Sequence, residues 1–218
     1  MRKTRKNSTG KTLYLWDLAN TLFPEAWNAV RSGFPTLQDY FRFLGYNPET
    51  ISPHDYEWAH ERPYCEGMFD LSISDGFQEV LSQTKHNETF STGNREQMDW
   101  RAEYLNPRVG FDIRGLFEEM NSTFDYGPTN TKTRDMLVGY LLKKYDHGYQ
   151  TVAYTDDKLP NGEEFVAAAR VVQSRHPDFG YRLYHFLNDG HGLRIKEGYW
   201  EIGSLYDLLL NERTMHAL

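Results

Sequence analysis

The residue best placed to take part in a reaction is Asp17, which follows the apolar residues 13–16 and precedes the turn-prone residues 19–21. An apolar run that ends at an acid predicts a buried strand stopping at Asp17. An open α/β sheet binds ligands just outside the carboxyl ends of its strands, so an Asp there is held rigidly and still meets solvent. Such a carboxylate is placed to act as a nucleophile or metal ligand. The alternative is that Asp17 only caps the next helix.

Two further predicted strands end in polar residues suited to the same site. Ser91 and Thr92 close the segment 89–94, and Asp156 and Asp157 follow the apolar strand 151–155. Two adjacent acids at a strand end repel each other, which favours a bound cation, although they can also serve as N-cap residues at a helix dipole. Between these segments, the isolated Lys132 stands before an amphipathic helix, either as part of the site or as a solvated lysine.

Strands that alternate with helices predict the fold class. Besides the first strand at 13–17, the pattern indicates strands at 151–155 and 181–187. It indicates a helix starting at 75–81 and further helices at 133–145, 163–172 and 205–210. Within 95–130 it indicates one or two helices and a short strand around 122–126. This order predicts an α/β protein with a doubly wound parallel sheet. The segment 23–74 differs, because it has no lysine and is crowded with aromatic residues and proline. We expect several short helices there.

The composition of the chain argues against several classes of function. The 218 residues are 39% hydrophobic and 25% charged, with a net charge of -7, which suits a globular domain and gives no overall attraction to nucleic acid or anionic membranes. The basic residues 1–10 are expected to form a mobile tail. No apolar run is long enough for a membrane span, and the charged start lacks the apolar core of a signal peptide. A single cysteine excludes an intrachain disulfide. We therefore expect a cytoplasmic protein with no membrane or nucleic-acid partner.

The polar strand ends occur in an order that resembles the haloacid dehalogenase (HAD) superfamily. The first motif of the family is an Asp after a hydrophobic strand with a Thr close behind, here at 17–22, and the second is a strand ending in Ser or Thr, here at 90–94. The third is an isolated Lys before a helix, here at 131–133, and the fourth is an acidic pair, here within 154–161. The resemblance implies a Rossmann-like core formed by 11–22 and 75–218. It also implies a small helical cap of the C1 type formed by 23–74.

The resemblance also implies a mechanism and a set of site residues. Asp17 would be the nucleophile of phosphoryl transfer and, with the backbone carbonyl of Ala19 and with Asp156 or Asp157, a ligand of Mg²⁺. Thr92 and Lys132 would complete the catalytic set. The implied phosphate-binding residues are Thr21, Ser91, Thr92, Gly93 and Lys132. The expected activity is a Mg²⁺-dependent phosphatase acting on a small phosphorylated substrate.

Ala19 departs from the family pattern. Most phosphatases of this superfamily have a second Asp at that position, where it protonates the leaving alcohol and then activates water. Losing a general acid or base typically costs about 10² to 10⁴ in rate. The departure favours a substrate with a good leaving group, or an acid supplied by His54, His60 or Glu61 of the cap. A catalytically weak or silent protein that binds a phosphorylated ligand or a partner is the alternative.

Two other branches of the superfamily fit less well. Phosphonate-cleaving enzymes have Ala at this position but need a cap lysine for a Schiff base, and there is no lysine between Lys11 and Lys85. The haloacid branch works without a metal and so has less use for an acidic pair, although Arg31, Arg42 and Arg62 could bind a carboxylate. The aromatic residues of the cap would either line an apolar pocket or pack a small lobe.

Overall fold

The computed structural model describes residues 10–24, 33–67 and 70–217. Its seven strands form one sheet in the order β3-β2-β1-β4-β5-β7-β6. The strands are β1 Lys11–Trp16, β2 Asn87–Ser91, β3 Glu119–Ser122, β4 Tyr149–Asp156, β5 Gly180–Phe186, β6 Arg194–Lys196 and β7 Tyr199–Ile202. The helices are α1 Leu37–Phe43, α2 Pro53–Cys65, α3 Phe77–Gln83, α4 Arg95–Val109, α5 Arg134–Asp146, α6 Leu159–Arg175 and α7 Leu205–Ala217.

The alternation of side chains along β1 explains why helices cover both faces of the sheet. Leu13 and Leu15 point into one core, which α5 and α6 complete, whereas Tyr14 and Trp16 point into the other, which α3, α4 and α7 complete. Because successive side chains of a strand face opposite ways, a central strand covered on both faces is apolar throughout. The predicted doubly wound α/β fold is therefore confirmed.

The sheet departs from the prediction at two places. β6 runs antiparallel to β7 at one edge, in a hairpin that the sequence pattern did not indicate because the strands have only three and four residues. The strand predicted around 122–126 lies earlier in the chain, so its predicted position was wrong. β3 ends at Ser122, whose side chain caps a short 3-10 turn that Asp125 closes. Polar side chains that bond to nearby backbone groups end a strand in this way.

Helices α1 and α2 form a small unit with its own aromatic cluster. Thr36 and Ser52 cap the two helices through side-chain oxygens that accept backbone N–H groups. Tyr40 and Phe41 of α1 pack with Ala59 of α2, and the residues that surround them are Phe34, Leu44, Tyr46 and Tyr56. These aromatic side chains thus pack against one another. The boundaries of a cap at 23–74 stay a prediction, since residues 25–32 and 68–69 lie outside the described part.

A buried ion pair joins this helical unit to α4. The Glu61 carboxylate accepts from Arg101 Nε at 2.7 Å and from Gln97 Nε2 at 2.5 Å, and the Glu61 and Arg101 side chains are only 0% and 5% exposed. Burying these charges is compensated only while both are present. The helical unit is therefore fixed to the sheet domain through polar contacts that water does not reach.

The basic tail predicted for residues 1–10 lies, except for Gly10, outside the described residues. Among the helices that the structure describes, none combines the length and apolar character needed to cross a bilayer.

We expect Arg101→Met to lower the free energy of unfolding by about 3–5 kcal/mol, because it leaves the Glu61 carboxylate buried without its cation. Urea unfolding followed by circular dichroism measures this change. The matched control is Arg95→Met on the same helix, since Arg95 is 60% exposed and pairs with Asp125 at the surface. That variant should lose less than about 1 kcal/mol. Equal losses in the two variants would contradict a special role for the buried pair.

Candidate active site

Asp17 lies directly beyond the carboxyl end of β1, where its backbone N–H donates to the carbonyl of Thr155 on β4 at 2.9 Å. The chain then turns sharply, because the N–H groups of Leu22 and Phe23 both donate to the carbonyl of Leu18. Asn20 takes a left-handed conformation within this turn, with φ of 56°, which Asn tolerates better than most residues. The side chain of Asp17 is therefore held between β1 and β4, and the residue is 5% exposed.

Lys132 is the centre of the site. Its Nζ lies 2.5 Å from Asp17 Oδ1, 2.7 Å from Asp156 Oδ2 and 2.8 Å from the hydroxyl of Tyr154. An ammonium group has three N–H donors, so all of them are engaged. The side chain is 0% exposed. The alternative that Lys132 is a solvated lysine at a helix start is therefore wrong.

The two acids after β4 have different environments. Asp156 receives the backbone N–H of Lys158 at 2.8 Å and the amide of Asn161 at 3.1 and 3.2 Å, besides Lys132 and the hydroxyl of Tyr154. Asp157 differs, because its Oδ1 is buried and has no hydrogen-bond partner in the described part of the chain. Its carbonyl accepts from His185 Nε2 at 3.1 Å. Asp156 is thus satisfied within the protein, whereas Asp157 has a buried oxygen without a partner among the described residues.

The three carboxylates suit a divalent cation. One oxygen from each of Asp17, Asp156 and Asp157 lies within 4.8 Å of the others. Carboxylate oxygens are the donors that Mg²⁺ prefers, and a buried oxygen without a partner carries a desolvation cost that a cation would remove. Ala19, whose carbonyl was expected to take part, is partly buried and pairs with Phe23 through an isolated bridge. The donor set therefore fits the metal that the sequence led us to expect.

The pKa values of the acids reflect their burial and mutual repulsion. Burial raises the pKa of Asp17 to about 6, with Lys132 acting against the shift and Asp156 adding to it. Burial, followed by repulsion from Asp17 and Asp156, raises the pKa of Asp157 to about 7. Burial lowers the pKa of Lys132, but Asp156 and Asp17 more than offset this effect and the net shift is upward. Lys132 therefore remains an ammonium, while added positive charge would favour the ionised forms of Asp17 and Asp157.

Residues 91–94 form a tight turn at the end of β2. Ser91 Oγ accepts the N–H of Gly93 at 3.2 Å, and Ser122 Oγ donates to the carbonyl of Gly93. A Cβ atom at Gly93 would lie 2.7 Å from Gln97 Oε1, so a larger residue would displace that side chain. Thr92 is half-buried in this turn. The turn fits the expected phosphate-binding segment in its position at the carboxyl edge of the sheet.

Thr21 is the predicted site residue whose contacts say least about its role in the site. Its hydroxyl is buried and has no hydrogen-bond partner among the described residues, and its carbonyl accepts from Ser74 Oγ at 2.7 Å. Within the described part, no hydrogen bond joins Thr21 to Asp17 or Lys132. Its predicted phosphate contact stays a prediction.

Two of the three residues proposed to replace the acid missing at Ala19 make contacts with other side chains of the described part. Glu61 is buried against Arg101. His54 is half-exposed, 3.7 Å from both Asp55 and Glu96, and the side chain of His60 lies outside the described part.

Two of the three arginines expected to bind a carboxylate are also engaged elsewhere. Arg42 pairs with Asp39, and Arg62 pairs with Glu66 and donates to the carbonyl of Leu44. Arg31 lies outside the described residues.

Three residues of the site have functions that the sequence reasoning missed. Tyr154 lies two residues before Asp156 on β4, and the period of two along a strand could have indicated that their side chains share a face. Asn161 reaches back to Asp156 from the first turn of α6. The side chain of Lys158 is exposed, but desolvation by the surrounding protein lowers the pKa of its ammonium. Attraction to Asp17, Asp157 and Asp156 outweighs this effect, so the net shift of the pKa is upward. A second, exposed cation is therefore close enough to the acids for their charge to act on it.

Solved structures share this fold. A HAD-family hydrolase from Deinococcus radiodurans R1, solved with bound phosphate and sodium, aligns with a TM-score of 0.56 over 93% of this chain and 96% of its own, at 15% identity. The UTR4 protein of Saccharomyces cerevisiae aligns with a TM-score of 0.51 over 88% of this chain and 97% of its own, also at 15% identity. No protein-family profile and no curated protein matches the sequence. The chain therefore has the HAD-like hydrolase fold.

We expect Mg²⁺ to raise the melting temperature more at about pH 8 than at about pH 5. The pKa values of Asp17 and Asp157 lie above their ordinary value of 3.8 in the metal-free fold. A carboxyl pKa raised by folding stabilises the protein below its ordinary pKa, and this contribution is lost as the pH rises through about 6 and 7. Mg²⁺ binds the ionised carboxylates and so restores stability at the higher pH.

Thermal unfolding with Mg²⁺ or with EDTA at each pH measures this difference. Asp157→Asn should reduce the pH dependence of the Mg²⁺ effect. Asp135→Asn is the matched control, because Asp135 is 92% exposed. An Mg²⁺ effect of the same size at both pH values would contradict the prediction.

Proposed function

We propose that the protein is a Mg²⁺-dependent phosphohydrolase of the HAD superfamily, with Asp17 as the nucleophile. The observation that carries the proposal is the contact of the buried Lys132 with both Asp17 and Asp156 at the carboxyl edge of the sheet. Beside them, Asp157 has a buried oxygen with no hydrogen-bond partner among the described residues. A buried ammonium that orients one carboxylate oxygen leaves the other oxygen available for attack on phosphorus. The phosphate bound by the Deinococcus hydrolase, which shares this fold, supports the same conclusion.

In the reaction that we infer, an oxygen of Asp17 attacks the phosphorus and the bond from phosphorus to the leaving oxygen breaks. The leaving oxygen takes the bonding electron pair, and an aspartyl phosphate forms on Asp17. Water then attacks this phosphorus, the bond to Asp17 breaks, and inorganic phosphate is released while the proton of water passes to solvent. The turn 91–93 would hold the phosphoryl oxygens. Lys132 would have to exchange one of its three hydrogen bonds to contact them.

Asp157 is the acid that we propose as the direct metal ligand, together with Asp17. Asp156 already accepts from Lys132, Tyr154 and the start of α6, so its oxygens are less available. When bound, Mg²⁺ would supply the positive charge that lets an anionic phosphate approach carboxylates. Asp156 would then act mainly by holding Lys132 in place.

The substrate that we infer is a small phosphate compound whose leaving group departs as a stable anion, such as an acyl or aryl phosphate. Ala19 cannot donate a proton, and the buried Glu61 cannot replace it. An alkyl phosphate would have to expel a strongly basic alkoxide without protonation, which is slow.

We expect the purified protein to hydrolyse acetyl phosphate and nitrophenyl phosphate with Mg²⁺ and to lose this activity in EDTA. Asp17→Asn should lower kcat by more than about 10³-fold, because removing a nucleophile eliminates the covalent route. Release of inorganic phosphate measures both effects. The exposed Asp135→Asn serves again as the control and should leave kcat unchanged. Turnover that persists in Asp17→Asn or in EDTA would overturn the proposal.

Ala19 also favours a second candidate function, in which the site binds a phosphorylated ligand without turning it over. Titration calorimetry with inorganic phosphate and Mg²⁺ separates the two. Binding that depends on Lys132, combined with no phosphate release from any acyl or aryl phosphate, would favour this alternative.

A further inference from the structure

Lys158 is a second lysine at the acidic cluster, and its setting differs from that of Lys132. It follows Asp157 directly and precedes α6, and its backbone N–H donates to Asp156 Oδ1 at 2.8 Å. This hydrogen bond fixes the start of the side chain against the site. The side chain itself is exposed to solvent.

The charges of the acids act on the ammonium of Lys158, although in the described part of the chain none of them binds it. Asp17 exerts the strongest attraction on it, followed by Asp157 and Asp156. In the described part of the chain, however, its Nζ forms no hydrogen bond and no ion pair within 4.0 Å, whereas Lys132 uses all three of its donors. Lys158 is therefore a cation at the site with donors available for another group.

The geometry of phosphoryl transfer indicates which group the donors of Lys158 would contact. In-line transfer places the leaving oxygen on the side of phosphorus opposite the attacking carboxylate. The inner wall beside Asp17 is closed by the buried Lys132 and Asp156, so the leaving group must extend toward solvent. The backbone of Lys158 is bonded to Asp156 and its side chain is exposed to solvent, which places a flexible cation within reach of a leaving oxygen there.

We propose that the ammonium of Lys158 contacts the leaving oxygen and stabilises the negative charge that it gains as its bond to phosphorus breaks. This inference rests on the proposed phosphohydrolase function and names a catalytic residue for it. No proton is transferred: the leaving group departs as an anion with the bonding electron pair, paired electrostatically with Lys158. The cation thereby takes over part of the task of the acid that Ala19 cannot supply. It also restricts the substrates to those whose leaving oxygen is stable as an anion.

The test compares Lys158→Met with the wild-type protein on dinitrophenyl, nitrophenyl and phenyl phosphate, whose leaving groups are increasingly basic. Loss of one electrostatic contact to a developing anion costs about 10² to 10³ in rate. We expect kcat/KM of Lys158→Met to fall by that factor on phenyl phosphate and by less than about tenfold on dinitrophenyl phosphate. Lys158→Arg keeps the charge and should recover most of the loss. Lys143→Met, which removes an exposed lysine from α5, should match the wild type on all three substrates.

The remaining outcomes overturn the inference in distinguishable ways. An equal loss on the three substrates would mean that Lys158 only attracts anions. An unchanged dependence on the leaving group, with tighter Mg²⁺ binding in Lys158→Met by calorimetry, would mean that it only balances the acidic cluster. In both cases Asp17-dependent turnover persists and the proposed function stands. If the wild-type protein hydrolyses none of these substrates, the proposed function and this inference fail together.

Discussion

The buried ammonium of Lys132 is the interaction on which the arrangement of the site depends. A lysine with no exposed surface is stable only if its three N–H groups are bonded and its charge is matched. Asp17 and Asp156 match the charge, and Tyr154 accepts the third hydrogen bond. These partners come from the ends of β1 and β4, which are neighbours in the sheet. One ammonium group therefore fixes the separation of the two carboxylates, and any cation bound beside them meets oxygens that are already oriented.

The same contact separates the roles of the two adjacent acids. Asp156 points toward Lys132 and is surrounded by donors, whereas Asp157 has a buried oxygen with none in the described part. Asp156 is the last residue of β4 and Asp157 follows it, so the two side chains have different surroundings, although an oxygen of each lies within 4.8 Å of an oxygen of Asp17. Two identical residue types thereby differ in hydrogen bonding because of their position alone.

The sequence predicted the parts of this arrangement that local pattern controls. Asp17, Lys132 and the acidic pair were identified because apolar strands end beside them, and the α/β alternation places those ends on one edge. The hairpin of β6 and β7 was missed because its strands are too short to show a period. The different hydrogen bonding of Asp156 and Asp157 could not be predicted, since it depends on Lys132, which is distant in the chain. Likewise, Glu61 looked like an available acid, because nothing in the sequence indicates that Arg101 lies against it.

The buried ion pair of Glu61 bears on the question of which group could donate a proton in the reaction that we propose. Gln97 donates to Glu61 of the helical unit through Nε2, and a Cβ atom at Gly93 would lie 2.7 Å from Gln97 Oε1. Gln97 thus lies between the helical unit and the turn at Gly93. Protonating Glu61 would weaken its pairing with Arg101, so proton donation by Glu61 would come at the expense of the ion pair that joins the helical unit to α4. With Ala19 unable to donate a proton either, stabilisation of a departing anion would pass to positive charge in the reaction that we propose, and Lys158 is an exposed cation whose Nζ has no hydrogen-bond partner in the described part of the chain.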